Sequence, residues 1–170
     1  MKNVFILLSI TFLCFSCTQQ ECEVKTAGFV TDFPDATYTI GSDTSVAVWQ
    51  KYIDLHNQKD LDGIMEMTWD SVQIYGSNGE YINGKEEHRA FLEQWFASGI
   101  GLSWSFTWAT AVKVVGAPGE WVMSGIDFVQ SDSTVSVESQ MVSALVGPDK
   151  VYQFYVKTAK VPQEEASEDE

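Results

Sequence analysis

The spacing of hydrophobic residues changes near residue 103, between the first and second halves of the chain, and this change constrains the fold more than any other feature. Before it, Val46, Trp49 and Ile53 recur three or four residues apart, which is typical of one face of an α-helix. After it, apolar and polar residues alternate through the segment 103–115, which is typical of a β-strand. Helices followed by strands predict an α+β domain whose strands form a curved antiparallel meander.

Residues that begin and end helices divide the first half of the chain into short elements. The Asp-Thr-Ser run at 43–45 supplies good N-cap residues for a first helix, and Asp60 can cap a second helix at 61–68. A strand is predicted at 71–75. The third helix carries the stripe His88, Phe91, Leu92 and Trp95. Turns then separate three further strands at about 120–130, 134–146 and 150–160.

The charge balance bears on the partners of the chain. Acidic residues outnumber basic residues 24 to 10, and the formal net charge at pH 7 is −14. Nucleic acids are bound through clustered Lys and Arg, and anionic lipid headgroups attract basic segments. The composition therefore argues against both kinds of partner. Part of the acidic excess lies in the terminal segment 161–170, which we expect to be a solvated tail.

The first residues are typical of an export signal. Lys2 precedes an apolar run of about twelve residues, which is shorter than the roughly twenty that span a membrane. The segment from Cys14 to Cys17 resembles a lipobox, in which a small residue precedes a cysteine that receives lipid. Ser16 fits that small position, so Cys17 is the predicted lipidation site. Lipidation of Cys14 and a plain secretory signal are the alternatives.

This interpretation gives four regions. They are a lipoprotein signal peptide at 1–16, a tether at 17–42, a folded domain at 43–160 and the acidic tail at 161–170. Cleavage before Cys17 would leave Cys22 as the only other thiol, so the mature domain would have no disulfide framework. We expect a lipid-anchored protein of the bacterial cell envelope, on the periplasmic or outer-membrane face, whose membrane contact is the N-terminal lipid.

Two short motifs resemble those of the nuclear transport factor 2-like superfamily. Residues 52–64 (YIDLHNQKDLDGI) are similar to the segment that joins its first two helices, and residues 81–87 (YINGKEE) are similar to the start of its third helix. This superfamily includes the SnoaL-like cyclases, limonene epoxide hydrolase, scytalone dehydratase and ketosteroid isomerase. The resemblance implies a cone-shaped fold in which the curved antiparallel sheet wraps around the helices. Its open end would be an apolar pocket, which is the kind of cavity that small ligands favour.

The resemblance also gives a test of ketosteroid isomerase chemistry, which needs a base aspartate and two groups that stabilise an oxyanion. Aligning the shared motif places Tyr52 at the oxyanion tyrosine. The base then corresponds to Gly76, and the oxyanion acid corresponds to a position near Met141. Neither residue can transfer a proton, so the resemblance disfavours steroid isomerisation.

Two other activities of the superfamily leave candidates in this chain. Arg89 is the only arginine and could take part in an Asp–Arg–Asp relay of the epoxide hydrolase type. A dehydratase-like His–Asp pair could form from His56 and Asp127, which are the predicted catalytic residues. In the alternative interpretation His56 bonds locally and Asp127 faces solvent.

No cofactor or metal site is predicted. The predicted ligand cavity comprises Tyr52, Tyr75, Trp95 and Met141.

The aromatic stripe of the first long strand has two interpretations. Trp104, Phe106 and Trp108, together with Trp121, pack on the third helix or lie on the outer face of the sheet, where they would favour a homodimer.

Two functions remain open at this point. One is a domain that binds a small apolar molecule or a protein partner without chemistry, and the other is a small-molecule cyclase, dehydratase or hydrolase.

Overall fold

The computed structural model of the chain describes residue 28 and residues 36–131 and 135–160. Within these residues three helices pack against one sheet of seven strands. The helices are α1 (Asp43–Asn57), α2 (Leu61–Met67) and α3 (Lys85–Ala97). The strands are β1 (Tyr38–Ile40), β2 (Thr68–Tyr75), β3 (Tyr81–Asn83), β4 (Gly101–Val114), β5 (Glu120–Ser131), β6 (Val135–Val146) and β7 (Val151–Lys160).

The helices begin where the side chains of small polar residues satisfy free backbone N–H groups. Ser42, one residue before the predicted start, is the N-cap of α1 and accepts a hydrogen bond from the backbone N–H of Ser45. Asp60 caps α2 by accepting from the N–H of Gly63 at 3.0 Å. Helix α3 follows Gly84, whose φ of 102° favours glycine. None of these described helices is long and apolar enough to cross a membrane.

The strands lie in the order β1-β4-β5-β6-β7-β2-β3. Strands β4 to β7 form the antiparallel meander that the alternation predicts, and the α+β class is confirmed. The sheet is nevertheless mixed, because β2 pairs with β7 in parallel. Strand β1 pairs with β4, so residues 38–40 belong to the sheet although they fall in the predicted tether.

One irregularity in β4 changes which side chains face the helices. Phe106 pairs with Ile126, but Trp108 pairs with Gly125, so β4 contains an extra residue at Thr107. A β-bulge of this kind reverses the alternation beyond it. Trp104 therefore faces the helices, whereas Trp108 lies on the opposite face of the sheet. The prediction of one continuous stripe is wrong at this point.

Glycine at position 125 is required by the packing of Trp108. A Cβ atom there would lie 2.3 Å from the indole Nε1 of Trp108. The indole ring thus lies against the backbone of β5 on the outer face, and any larger residue would displace it.

The core lies between the inner face of the sheet and the helices. The helical residues Trp49, Tyr52 and Leu92 are fully buried in it, as are Ile126 and Val142 of the meander. Inner and outer residues alternate along β5 and β6, and this alternation determines which side chains reach the functional site.

Candidate functional site

A cavity of about 290 Å³ opens between α1, α3 and the inner face of the sheet. Its walls are mainly aromatic and aliphatic. The aromatic side chains that line it are Trp49, Tyr52, Phe91, Trp95, Trp104, Phe128 and Phe154, and the aliphatic ones are Ile53, Ile74, Ile82, Leu92, Ile126, Val142 and Val156. Ligand sites are typically concave and apolar with a few placed polar groups, and this cavity has that composition.

Two of the large side chains from α1 have polar atoms that bond to the protein itself. The indole N–H of Trp49 donates to Oγ of Ser124 at 3.1 Å. Oγ1 of Thr68 donates to the carbonyl of Ile64 at 2.8 Å, so the hydroxyl of Tyr52, 3.2 Å from this Oγ1, must donate to it. Burial raises the pKa of Tyr52. Its proton is directed away from the cavity, which leaves Tyr52 as packing rather than as an oxyanion donor.

His56 also lines the cavity from α1, and its tautomer follows from its bonding. Its Nδ1 lies 2.8 Å from the backbone carbonyl oxygen of Tyr52. Because a carbonyl only accepts, Nδ1 carries the proton, and Nε2 is then a hydrogen-bond acceptor. Burial lowers the pKa of His56 to about 4, so the ring is neutral at pH 7.

His88 on α3 is the second buried histidine. It is 2% exposed, and its ring centroid lies 6.1 Å from that of His56 with an angle of 28° between the planes. Burial, and to a smaller extent the neighbouring His56, lowers the pKa of His88 to about 3. Its Nδ1 and Oγ1 of Thr158 are the buried side-chain atoms without a hydrogen-bond partner among the described residues. The cavity thus contains two adjacent, uncharged imidazole rings.

Aromatic rings surround the side of the cavity next to His56. Trp104 lies edge-on to His56 at 5.9 Å and to Trp95 at 5.4 Å, and Phe128 lies 5.1 Å from Trp104. The position of Trp104 is fixed by Asn57. The side-chain amide of Asn57 donates to the carbonyl of Trp104 at 2.9 Å, and its oxygen accepts from the N–H of Trp104 at 2.8 Å. These two bonds tie the end of α1 to β4.

The remaining polar groups of the lining come from the β2–β3 turn and from β5 and β6. The turn supplies Glu80, whose carboxylate accepts from the backbone N–H and side-chain amide of Asn78. Burial would raise the pKa of Glu80, but the hydrogen bonds outweigh it and the pKa is lowered, so the group is ionised. Strand β6 adds Glu138 and the buried Gln140, and β5 adds Gln130. Among the described residues that line the cavity there is no Lys or Arg.

The structure separates the predicted site residues into two groups. Tyr52, His56 and Trp95 line the cavity, whereas Asp127, Tyr75 and Met141 do not. The prediction is wrong for these three, because each alternates with an inward neighbour. Ile126 and Phe128 face the cavity on either side of Asp127, Ile74 precedes Tyr75, and Gln140 and Val142 flank Met141. A His56–Asp127 pair is therefore not formed.

The same alternation corrects the comparison with ketosteroid isomerase. Gly76 does line the cavity, but Met141 is 56% exposed on the outer face. The sequence alignment therefore assigns the oxyanion acid to the wrong face of β6. The inward neighbours on either side of Met141 are Gln140 and Val142, and neither is an acid. Arg89 forms ion pairs with Asp62 at 2.8 Å and with Glu93 at 3.8 Å and does not line the cavity.

Sequence reasoning omitted several residues of this site. His88 belongs to the predicted stripe of α3, and its spacing from Leu92 indicates that it faces inward, but it is not among the predicted site residues. Gln140 and Glu138 alternate with Met141, and only the strand register assigns them to the inner face. No group of three or more metal-ligating side chains occurs among the residues that the structure describes.

The outer face of the sheet also carries aromatic residues. Tyr75 stacks on Tyr155 with centroids 4.5 Å apart and planes within 9°, and Trp121 lies 6.1 Å from Tyr155. Trp108 and Met141 are exposed on this face. The homodimer stays a prediction. The predicted lipidation site Cys17 and the acidic tail lie outside the described residues.

Comparisons with known proteins identify the fold. The sequence matches no protein-family model and none of the curated proteins compared with it. Among solved structures, a ketosteroid isomerase-like protein from Erwinia carotovora atroseptica has 13% sequence identity and a TM-score of 0.58, with 70% of this chain and 96% of the other covered. The chain has the nuclear transport factor 2-like fold.

Two further structures with this cone fold are similar. An epoxide hydrolase of the LEH-like type from M. tuberculosis has 9% identity and a TM-score of 0.59, with coverage of 69% of this chain and 84% of the other. The epoxide hydrolase/cyclase-like enzyme SalBIII, which has a role in pyran ring formation in the polyether salinomycin, has 12% identity and a TM-score of 0.57, with coverage of 69% and 92%. The cone fold implied by residues 52–64 and 81–87 is confirmed. At these identities the likeness does not transfer function.

Proposed function

We propose that this protein binds a small, largely apolar molecule in the cavity of its cone. The observation that carries the proposal is the cavity itself, which is about 290 Å³ in volume and lined by seven aromatic side chains. The polar atoms of Trp49 and Tyr52 bond to the protein, so the walls that these residues form are apolar. Such a surface favours a ligand that loses apolar contact with water on binding.

The same geometry gives no support to catalysis by a His–Asp pair. Asp127 lies on the opposite face of the sheet from His56, and the proton of Tyr52 is bonded to Thr68. A neutral histidine whose pKa is about 4 is a weak base at pH 7. Binding is therefore the function we propose in preference to that of a cyclase, dehydratase or hydrolase.

A neutral fluorescent probe tests the binding proposal. We expect N-phenyl-1-naphthylamine to bind saturably to the purified protein, with one molecule in each chain. Gln140→Trp should reduce its affinity at least about tenfold, because the larger side chain occupies part of the cavity. Met141→Trp on the outer face is the matched control and should bind the probe as the natural sequence does. Non-saturable binding, or loss of binding only in Met141→Trp, would contradict the proposal.

We also propose that a lipid on Cys17 anchors the protein in the bacterial cell envelope. The support is the sequence alone, namely the short apolar run after Lys2 and the small residue before Cys17. Two or three acyl chains on one cysteine give stable membrane attachment. Intact mass of protein extracted from membranes should equal a chain that begins at Cys17 and carries these acyl chains. A mass that corresponds to a chain beginning at Met1 would contradict the anchor.

A further inference from the structure

The polar groups of the cavity indicate which class of apolar molecule fits it. His56 provides an acceptor at Nε2, because its Nδ1–H bonds to the carbonyl of Tyr52. Flat aromatic rings surround His56. Trp104 lies edge-on to both His56 and Trp95, and Phe128 lies beside Trp104. A planar ring that stacks on such walls or meets them edge-to-face gains binding free energy beyond that from the burial of its apolar area.

The charges that line the cavity restrict the ligand further. Glu80 and Glu138 line it, and none of its described lining residues is Lys or Arg. The two histidines do not compensate, because their burial keeps both neutral. A carboxylate that entered would lose its hydration without gaining a cationic partner, and a buried charge without a partner is strongly unfavourable.

We propose that the ligand is a neutral, planar molecule of two or three fused rings whose hydroxyl group donates a hydrogen bond to Nε2 of His56, and that the cavity rejects carboxylates of the same shape. This inference rests on the proposed binding function and adds the ligand class and the discriminating residue. His88 contributes an uncharged surface beside His56, and its Nδ1 has no hydrogen-bond partner among the residues that the structure describes.

Three probes with the same ring system separate the contribution of the hydrogen bond to affinity from the effect of a negative charge. 2-Naphthol carries the donor, naphthalene lacks it, and 2-naphthoate is an anion at pH 7. Equilibrium dialysis against the full chain should give an affinity for 2-naphthol about fivefold higher than for naphthalene, which corresponds to one net hydrogen bond. The affinity for 2-naphthoate should be at least about tenfold lower than for 2-naphthol, because its charge is not compensated.

Two variants assign these effects to residues. His56→Phe retains an aromatic ring but removes Nε2, so it should reduce the ratio of the affinity for 2-naphthol to that for naphthalene from about five to about one. Glu138→Gln should raise the affinity for 2-naphthoate more than that for 2-naphthol, because it removes one negative charge from the lining. Lys59→Gln, at an exposed position just after α1, is the control and should change none of the three affinities.

The outcomes distinguish this inference from the function on which it rests. If naphthalene and 2-naphthol bind equally well to the natural sequence, or if 2-naphthoate binds as tightly as 2-naphthol, the ligand class is wrong while the binding function stands. If none of the three probes and no neutral dye binds, the binding function itself is wrong. The comparison of the three probes on the natural sequence decides between these outcomes even if His56→Phe does not fold.

Discussion

The two faces of the meander differ sharply although the same strands form both. The inner face of β5 and β6 presents Ile126, Phe128 and Val142 to the cavity that also contains the two neutral histidines. The outer face presents exposed Trp108 and Met141. Adjacent residues of one strand therefore have different roles, and a single-residue error in register exchanges them.

A pair of adjacent substitutions in β6 gives the largest expected difference between the faces. Val142→Asp places an unpaired carboxylate at a site that is 3% exposed, and it should lower the free energy of unfolding by on the order of 4 kcal/mol or unfold the domain. Met141→Asp should change it by no more than about 0.5 kcal/mol, because Met141 is exposed. Urea unfolding followed by circular dichroism compares the two. Similar losses in both variants would show that the faces are not distinct.

Acid should destabilise the cavity side of the domain through His56 on α1 and His88 on α3. An unfolded histidine has a pKa of about 6.5, and the folded-state pKa is lowered to about 4 for His56 and about 3 for His88. Between these values the unfolded chain binds protons that the folded chain does not, so stability is complete above pH 6.5 and declines as the pH falls. Each histidine lowers the free energy of unfolding by up to about 1.4 kcal/mol for each unit by which the pH falls within this window.

Urea unfolding at pH 7, 6 and 5 measures this slope. His88→Phe should reduce it by about one titrating group, because the phenyl ring keeps the packing and takes up no proton. Met123→Leu, on the outer face of β5, should leave the slope unchanged. An identical pH dependence in His88→Phe and the natural sequence would mean that His88 is not buried in its neutral form.

The outer face should show its effect in association rather than in folding. If the predicted homodimer forms through this face, Trp108→Ser should raise its dissociation constant by about tenfold or more, since exposed tryptophans commonly dominate interfaces. Sedimentation equilibrium measures this constant, and probe binding in the cavity should not change. A natural sequence that is monomeric at every concentration would show that the dimer prediction is wrong.

The smallest expected effect concerns the link between α1 and β4 at the edge of the cavity. Asn57→Ala removes both hydrogen bonds to the backbone of Trp104 and should cost about 1 kcal/mol of unfolding free energy. It should also weaken probe binding, because Trp104 is no longer held beside His56. Gln58→Ala, at the next and likewise exposed position, is the control. An equal loss of unfolding free energy in the two variants would show that the hydrogen bonds of Asn57 to Trp104 do not stabilise the domain.

The fold was more predictable than the site. N-cap residues and three-to-four-residue spacing are local signals, so the sequence placed α1, α2 and α3 within a few residues of their observed bounds. The parallel pairing of β2 with β7 carries no local signal, because it joins segments about eighty residues apart in the chain. For the site, Tyr52, His56 and Trp95 line the cavity, and they lie on helices whose apolar spacing is visible in the sequence.

The sequence by itself determined the α+β class, the helices, the cone fold and the excess of negative charge. Only the tertiary structure decided which face of each strand meets the helices. Alternation determines which residues share a face, but the buried face is selected by pairing and packing. In β4 the extra residue at Thr107 exchanges the faces midway, so Trp104 enters the cavity and Trp108 leaves it. The same choice of face excludes Asp127 and Met141 from the cavity and includes Glu138 and Gln140.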